Sequence, residues 1–499
     1  MNLNTQAGLD VKKAGLVLGP ALFGLALAFF HPEGHSAEAN AVLATTLWVA
    51  TWWITDCIPL AVTSILPIVL FPLTGGLSLS ETTASFGHRY IFLYIGGFIL
   101  AIAIERWDLH KRISLLIIKV IGANLKSIIL GFMVATAFLS MWISNTATSV
   151  MMLPIGMAII TQLKDNPDTL EDENQIFGKA LMLAIAYSAS IGGIATLIGT
   201  PPNLVFAAMV QELYGIEITF YQWIIFGLPI SVVMLALCWK YLTSIAFSFR
   251  QKSFPGGKEE ISRQLRSLGQ VTYEEKMVLG VFLLTALSWI GRSFLNRFIP
   301  ALDDTIIAVT AAVLLFAIPA SKEKKRALIN WEEAVKLPWG ILLLFGGGLA
   351  LAEGFKSSGL AVFIGQQLTL LHGVSLIVLL LVIVAAVNFL TEITSNIATT
   401  AMILPVLAPL AVGLDVHPFT LMVGASVAAS CAFMLPVATP PNAVVFGSGY
   451  LKIPDMARTG IWLNLMSIIC LTMVVYWVLP YLWGFDLAVF PAELKNRIN

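Results

Sequence analysis

Apolar residues recur along the chain in runs long enough to cross a membrane, separated by short polar segments. A spanning helix needs about 20 predominantly apolar residues. Runs of this kind predict eleven spans, at 14–30, 41–57, 58–73, 89–105, 179–210, 222–247, 277–296, 304–320, 338–355, 419–447 and 458–483. The pattern therefore predicts an all-α polytopic membrane protein.

Two further apolar stretches, 127–163 and 376–413, are too long for a single crossing. Each has a polar Ser-Asn pair near its middle, at 144–145 and 395–396. Polar, irregular backbone at membrane depth is tolerated only where it is buried in protein or lines a cavity. Each stretch is therefore predicted to form a re-entrant hairpin that enters and leaves the membrane on one side.

The composition agrees with membrane residence and narrows the function. Hydrophobic residues make up 58% of the chain and charged residues 12%, whereas soluble domains contain about 25% charged residues. The four cysteines and six histidines are scattered and show no metal-ligand spacing, and no nucleophile–base pattern occurs. These features argue against an enzyme and against nucleic acid as a partner, and they favour transport, with a channel as the alternative.

The basic residues indicate an orientation. If the amino terminus is inside and each hairpin returns to its own side, 22 of the 29 Lys and Arg residues fall inside and 6 outside, with Lys240 within a span. Cytoplasmic segments are enriched in Lys and Arg. The amino terminus is therefore predicted to be cytoplasmic and the carboxyl terminus periplasmic or extracellular, in a bacterial inner membrane.

A polar segment, 248–276, divides the chain almost in half and is predicted to be a cytoplasmic linker, with flexible backbone at Pro255-Gly256-Gly257. The predicted organisation is an amino-terminal region with the first helix (1–40), a first repeat (41–247), the linker, a second repeat (277–484) and a tail (485–499).

An internal repeat relates the two halves. SNTATSVMMLP (144–154) and SNIATTAMILP (395–405) are identical at seven of eleven positions, and a Thr-Pro-Pro-Asn sequence follows each of them, at 200–203 and 439–442. An odd number of predicted crossings separates the hairpins, so the halves are predicted to have opposite orientations. Inverted repeats with broken helices that meet near the midplane are typical of secondary transporters.

The repeated motifs suit ion binding. Two consecutive prolines within a span remove two amide donors and free backbone carbonyls, which can bind a cation, while the helix N-termini that follow favour an anion. Neither Lys nor Arg occurs in 127–163, 180–239 or 360–451. A buried dianion without a basic residue needs another source of positive charge, which favours cation-coupled symport over an exchanger that holds its substrate on a basic residue.

The duplicated Ser-Asn motifs, each followed by a Thr-Pro-Pro-Asn break, strongly resemble those of the divalent anion/sodium symporter family, and the resemblance covers residues 14–484. It implies Na⁺-driven uptake of C4-dicarboxylates such as succinate, malate or fumarate. It also implies a homodimer with an elevator mechanism. Exchange, coupling to H⁺, and transport of citrate or sulfate stay open as alternatives.

The resemblance also implies a set of site residues. One Na⁺ site would use Ser140, Ser144, Asn145 and the carbonyl of Gly199, and a second Thr391, Ser395, Asn396 and the carbonyl of Ala438. The substrate site would comprise Asn145, Thr146, Thr200, Pro201, Asn396, Ile397, Thr439 and Pro440. Ile397 stands where the fullest family pattern has Thr, so the pocket is predicted to be asymmetric.

Three other features have more than one interpretation. Glu392, in the second hairpin, either tunes the second cation site, relays a proton, or is a hydrogen-bonded structural carboxylate. Asp56 either caps a helix before Pro59, which is the favoured interpretation, or has a functional role. The segment 105–126 mixes basic and apolar residues and is predicted to be an arm in the inner interface.

Overall fold

The computed structural model describes residues 3–32, 35–122, 124–164, 171–247, 249, 257–367 and 373–494. These residues are overwhelmingly helical, and they contain no β-strand beyond an isolated bridge between Pro319 and Ala327. The predicted all-helical fold is confirmed.

The helices of the first half precede residue 248. They are α1 (Leu3–Phe29), α2 (Ala37–Thr55), α3 (Leu60–Thr63), α4 (Leu66–Thr74), α5 (Leu79–Ala84), α6 (Arg89–Arg106), α7 (Leu109–Ile121), α8 (Leu125–Ser140), α9 (Asn145–Lys164), α10 (Glu171–Gly193), α11 (Pro201–Tyr214) and α12 (Phe220–Tyr241), which continues as a π-turn, Leu242–Ala246.

The remaining helices form the connection and the second half. They are α13 (Gly257–Ser267), α14 (Tyr273–Ile290), α15 (Arg292–Leu295), α16 (Asp304–Ala317), α17 (Trp331–Ala334), α18 (Trp339–Ser357), α19 (Leu360–Gln367), α20 (Leu376–Leu390), α21 (Asn396–Gly413), α22 (Pro418–Ala429), α23 (Pro440–Phe446), α24 (Ile453–Met473) and α25 (Leu479–Trp483).

Seven helical stretches in the described part of the chain are long and apolar enough to cross a membrane, judged by length and composition. They are Asp10–Phe29, Leu79–Arg106, Asn174–Gly193, Phe220–Ala246, Trp339–Ser357, Asn396–Gly413 and Ile453–Trp483. Shorter apolar helices occupy several other predicted spans. The chain is thus a multi-pass membrane protein, and the number of eleven crossings stays a prediction.

Several predicted spans are interrupted. The span 58–73 consists of two short helices, α3 and α4, because Pro67 has no amide hydrogen to continue the first of them. The spans 179–210 and 419–447 are each divided by a non-helical break, at 194–200 and 430–439. Both breaks end at a Thr-Pro-Pro-Asn sequence, where the prolines occupy the first turn of the following helix.

The predicted linker contains more structure than a flexible connection. Within it, α13 packs against α7 and α9. The guanidinium of Arg112, on α7, donates to Glu275 at 2.7 Å and to the carbonyl of Gly269 at 3.2 Å. Pro255 and Gly256 lie outside the described residues, as do residues 495–499 of the tail.

The same succession of elements occurs in both halves. A two-helix hairpin is followed by a broken span and a long helix: α8, α9, α10, α11 and α12 in the first half, and α20, α21, α22, α23 and α24 in the second. The two sets are in direct contact, since α10 packs against α23 and α11 packs against α21 and α22. This arrangement brings both hairpin tips and both breaks together.

Candidate functional site

One cavity of about 510 Å³ lies where the two hairpin tips meet the two breaks. It is lined by every predicted site residue except Ser140 and Thr391, namely Ser144, Asn145, Thr146, Gly199, Thr200, Pro201, Ser395, Asn396, Ile397, Ala438, Thr439 and Pro440. Ser140 and Thr391 are buried directly behind the lining and contact its asparagines. Residues some 250 positions apart in the chain therefore form a single site.

The first hairpin places Asn145 among oxygen atoms. Its side-chain amide contacts the hydroxyl of Ser140 and lies 3.2 Å from the carbonyl oxygens of Ala189 and Gly199. If Nδ2 faces these oxygens, the amide donates to them. If Oδ1 faces them, four oxygen atoms converge, and such a group binds a small hard cation. In that second orientation the four oxygen atoms fit Na⁺.

Gly193 completes this arrangement from the end of α10. A Cβ atom at this position would lie 2.8 Å from Oδ1 of Asn145 and 2.9 Å from the carbonyl oxygen of Gly199. Only a residue without a side chain therefore fits at this position beside the two oxygens. Gly193 was not among the predicted site residues.

The second hairpin repeats the contact with different residues. The hydroxyl of Thr391 lies 2.7 Å from Oδ1 of Asn396 and 3.0 Å from the carbonyl oxygen of Ala429. Thr391 thus precedes and contacts Asn396 in the same way that Ser140 precedes and contacts Asn145. The spacing is five residues in both hairpins. The roles of these residues as cation ligands stay predictions.

An asparagine at the end of each Thr-Pro-Pro-Asn sequence holds the break in place. Nδ2 of Asn203 lies 3.1, 3.2 and 2.8 Å from the carbonyl oxygens of Gly193, Ile194 and Thr196. Nδ2 of Asn442 lies 3.3 and 3.0 Å from those of Ala432 and Leu435. Both asparagines are fully buried. They satisfy carbonyls that the breaks leave without helical partners.

The two breaks also contact each other. Ser426, on α22, donates to the carbonyl oxygen of Pro202 at 2.8 Å. The hydroxyl of Thr200 lies 3.5 Å from that of Ser430, the first residue of the second break. The two half-sites are therefore joined by polar contacts as well as by a shared cavity.

The electrostatic character of the cavity comes from backbone groups. The helices α9, α11 and α21 begin at the cavity, and their positive dipole ends face it. Of the described residues that line it, Asp56 alone carries a charge. Asp56 forms a 2.9 Å ion pair with Lys12 and is more than half exposed. With these described lining residues, the cavity attracts an anion through dipoles and through any cation bound beside it.

Several lining residues were not predicted. With Asp56, the wall is completed by Trp53, Ile54, Leu60, Tyr94, Phe98, Ser190, Ile198, Ile341, Ile393, Thr394, Val437 and Pro441. Asp56 occupies the C-cap position of α2, in the left-handed conformation with φ 45°. This position agrees with its interpretation as a cap, although its side chain also reaches the cavity rim.

Glu392 is buried and bonds to backbone amides. Its carboxylate accepts from the amides of Phe433, Met434 and Leu435 at 2.8–3.2 Å and from Nδ2 of Asn464 at 2.7 Å. These bonds connect the second hairpin to the second break and to α24. They favour the interpretation of Glu392 as a hydrogen-bonded carboxylate over that of a proton relay.

Paired hairpins and broken spans around a shared cavity define a membrane transporter. The family model described as the sodium:sulfate symporter transmembrane region matches residues 11–483. The chain is 51% identical to the sodium-dependent dicarboxylate transporter SdcS of Staphylococcus saprophyticus, over 96% of this chain and 94% of the relative. It is also 51% identical to SdcS of Staphylococcus aureus, over 95% of this chain and 92% of the relative. The chain belongs to the divalent anion/sodium symporter family.

Solved structures with a similar fold are more distant in sequence. The YdaH transporter of Alcanivorax borkumensis superimposes with a TM-score of 0.56 at 15% identity, over 95% of this chain and 99% of that one. MtrF of Neisseria gonorrhoeae gives the same TM-score at 12% identity, over 95% and 96%. At these identities the likeness concerns the fold alone.

Proposed function

We propose that this protein is a secondary transporter that couples inward movement of Na⁺ to uptake of C4-dicarboxylates such as succinate, malate and fumarate. The observation that carries the proposal is the single cavity formed by both Ser-Asn tips and both Thr-Pro-Pro breaks, without a Lys or Arg among its described lining residues. Desolvating a dianion there is costly unless positive charge accompanies it. Sodium ions bound beside the anion supply that charge.

Each half supplies one Na⁺ site. In the first, Ser140, Ser144, Asn145 and the carbonyl of Gly199 bind the ion, beside Gly193. In the second, Thr391, Ser395, Asn396 and the carbonyl of Ala438 do so. The carboxylates of the substrate contact Asn145, Thr146 and Asn396, against a wall that contains Thr200, Pro201, Ile397, Thr439 and Pro440.

Transport follows an elevator mechanism within a homodimer. The hairpins, the broken spans, α12 and α24 move as one body against a framework formed by the other helices. The halves have opposite orientations, with the amino terminus in the cytoplasm of a bacterial cell and the carboxyl terminus outside. In this orientation Lys12 lies near the cytoplasmic end of α1, and its ion pair with Asp56 at the cavity rim supports a cavity that opens toward the cytoplasm.

Uptake into proteoliposomes tests the coupling. Labelled succinate should accumulate inside the proteoliposomes under an inward Na⁺ gradient. This accumulation should stop when K⁺ replaces Na⁺. Uptake that follows an H⁺ gradient, or that needs only internal succinate, would assign the protein to H⁺ coupling or exchange. Flux that does not saturate with succinate would indicate a channel.

The substrate is tested by stability. Ligands that bind the folded state raise the unfolding temperature by mass action. In the presence of Na⁺, succinate, malate and fumarate should stabilise the protein at lower concentrations than citrate or sulfate. The reverse order would assign a tricarboxylate or sulfate as the transported anion.

A further inference from the structure

The carboxylate of Glu392 differs from every other contact at the hairpin tips because it introduces a full negative charge. Glu392 is 3% exposed and directly follows Thr391, a residue of the second cation site. None of the ion pairs among the described residues includes it. Its charge is held by amides alone, three from the backbone of the second break and one from Asn464.

The first half has no counterpart of this carboxylate. The residue that follows Ser140 is Met141, whose backbone carbonyl accepts from the hydroxyl of Thr196 at 2.6 Å. The amides of Ile194 and Ala195, which correspond to those of Phe433 and Met434, bond to carbonyls of their own turn. Each hairpin is thus hydrogen-bonded to its break. The acceptor on the hairpin is a neutral carbonyl in the first half and a carboxylate in the second.

This difference makes the two cation sites electrostatically unequal. Charges interact strongly in a buried environment, where the effective dielectric constant is far below that of water. A ligand of the second site, Thr391, is followed directly by a carboxylate that forms no ion pair with the described residues, whereas the corresponding residue of the first half is the neutral Met141. The carbonyl of Ala438 belongs to the same break that Glu392 holds, so the carboxylate also positions this ligand.

We infer that Glu392 is a positioning residue that makes the second cation site the first to bind Na⁺, before and without the dicarboxylate. The first site then acquires its Na⁺ together with the anion, whose charge takes the role that Glu392 has in the second site. This inference rests on the proposed function, because it assigns an order to the ions of that same site.

Sodium titration of thermal stability without dicarboxylate tests the order. In Glu392→Gln, the Na⁺ concentration for half-maximal stabilisation should rise about tenfold or more, because the fixed charge is lost. Thr391→Ala should raise it similarly, and the double variant should add little to either change. Ser140→Ala should leave the value unchanged without succinate and raise it when succinate is present.

The KM for succinate, the Na⁺ midpoint and the unfolding temperature together separate an electrostatic role of Glu392 from a purely structural one. With saturating Na⁺, Glu392→Gln should retain a KM for succinate within about threefold of wild type. A purely structural role would instead lower the unfolding temperature in Na⁺-free buffer and leave the Na⁺ midpoint unchanged. Glu274→Gln is the control, because Glu274 is equally buried and bonds to Ser321 and Lys324 far from the cavity.

If Glu392→Gln does not fold, Glu392→Asp tests the same inference. Asp keeps the negative charge, but its side chain is shorter by one methylene group. A Na⁺ midpoint between those of wild type and Thr391→Ala supports the inference, and an unchanged midpoint overturns it. Wild-type protein that responds to neither Na⁺ nor succinate would contradict the proposed function itself. A normal wild-type response with no effect of either Glu392 variant would overturn only the binding order.

Discussion

Gly193 is the residue whose size matters most in the first half-site. Replacing it with Ala places a methyl group 2.8 Å from Oδ1 of Asn145 and 2.9 Å from the carbonyl of Gly199, within the space proposed for Na⁺. Gly193→Ala should therefore reduce Na⁺-driven succinate uptake more than about tenfold, since an intruding group in a packed interior forces its neighbours apart. Gly280→Ala is the matched control, because a Cβ there meets no atom within 4 Å. Equal uptake by the two variants would remove Gly193 from the site.

Ile397 sets the asymmetry of the cavity. It occupies the position that Thr146 has in the first hairpin, and both residues line the cavity. Ile397→Thr adds a hydroxyl that can donate to a substrate carboxylate, and a hydrogen bond to a charged group is worth about 1.5–3 kcal/mol. The KM for succinate, measured by uptake at saturating Na⁺, should fall at least about tenfold, since about 1.4 kcal/mol corresponds to a factor of ten. Ile397→Val, which has a similar shape without the hydroxyl, should leave it unchanged, and an equal fall in both variants would exclude the hydroxyl as the cause.

The breaks depend on single asparagines. Asn203→Ala removes three hydrogen bonds, to the carbonyls of Gly193, Ile194 and Thr196, and each is worth about 0.5–1.5 kcal/mol. The carbonyl of Ile194 keeps a donor in Nε1 of Trp223 at 3.0 Å. The variant should unfold at a lower temperature than wild type. Asn442→Ala should show a smaller decrease, because Asn442 serves two carbonyls.

The matched test replaces each asparagine with Asp, which has the same shape but lacks the amide donors. Asn203→Asp should be at least as unstable as Asn203→Ala, because a carboxylate oxygen then faces carbonyl oxygens. Thermal unfolding of the purified protein in detergent checks both pairs. A stable Asn203→Asp would show that the amide is not what holds the break.

At the scale of elements, the sequence predicts helices better than it predicts their interruptions. Apolar runs identify the spans because every backbone group in lipid must bond within its own segment. The Thr-Pro-Pro motifs mark two breaks, since proline removes amide donors. The division of 58–73 into α3 and α4 was missed although Pro67 marks it locally. The helix α13 within the predicted linker was missed because its stability depends on packing against α7 and α9, which are distant in sequence.

The candidate site could also be predicted only in part from the sequence. The repeated motifs identified the tips and breaks, which the structure brings together in one cavity. Tyr94, Phe98 and Ile341 were missed because they lie in ordinary apolar runs, and an apolar residue in a buried helix gives no local sign of which face borders a cavity. The contacts of Glu392 could not be predicted either, because its amide donors lie some 40 residues further along the chain.

At the scale of the whole molecule, polar contacts connect the proposed moving body to the framework. The segment between α11 and α12 contributes Glu217, which bonds to Arg292 at 2.5 Å. Close by, the amide of Phe220 donates to Asp304 at 2.7 Å, and the hydroxyl of Tyr90 donates to the carbonyl of Ile218 at 3.1 Å. These framework residues lie on α6, α15 and α16. An elevator movement must break all these contacts in every transport cycle.

Cross-linking tests this requirement. Cysteines replacing Glu217 and Arg292, in a variant without the native cysteines, can be joined by a short bismaleimide only while the two segments are adjacent. The cross-link should abolish succinate uptake, because it retains the moving body in the present position. The control pair replaces Arg106 and Glu333, which bond at 2.6 Å between α6 and α17 within the framework. Cross-linking that pair should leave uptake intact. If the Glu217–Arg292 cross-link also leaves uptake intact, the segment between α11 and α12 does not move relative to α15, and alternating access must arise from smaller movements of the hairpins alone.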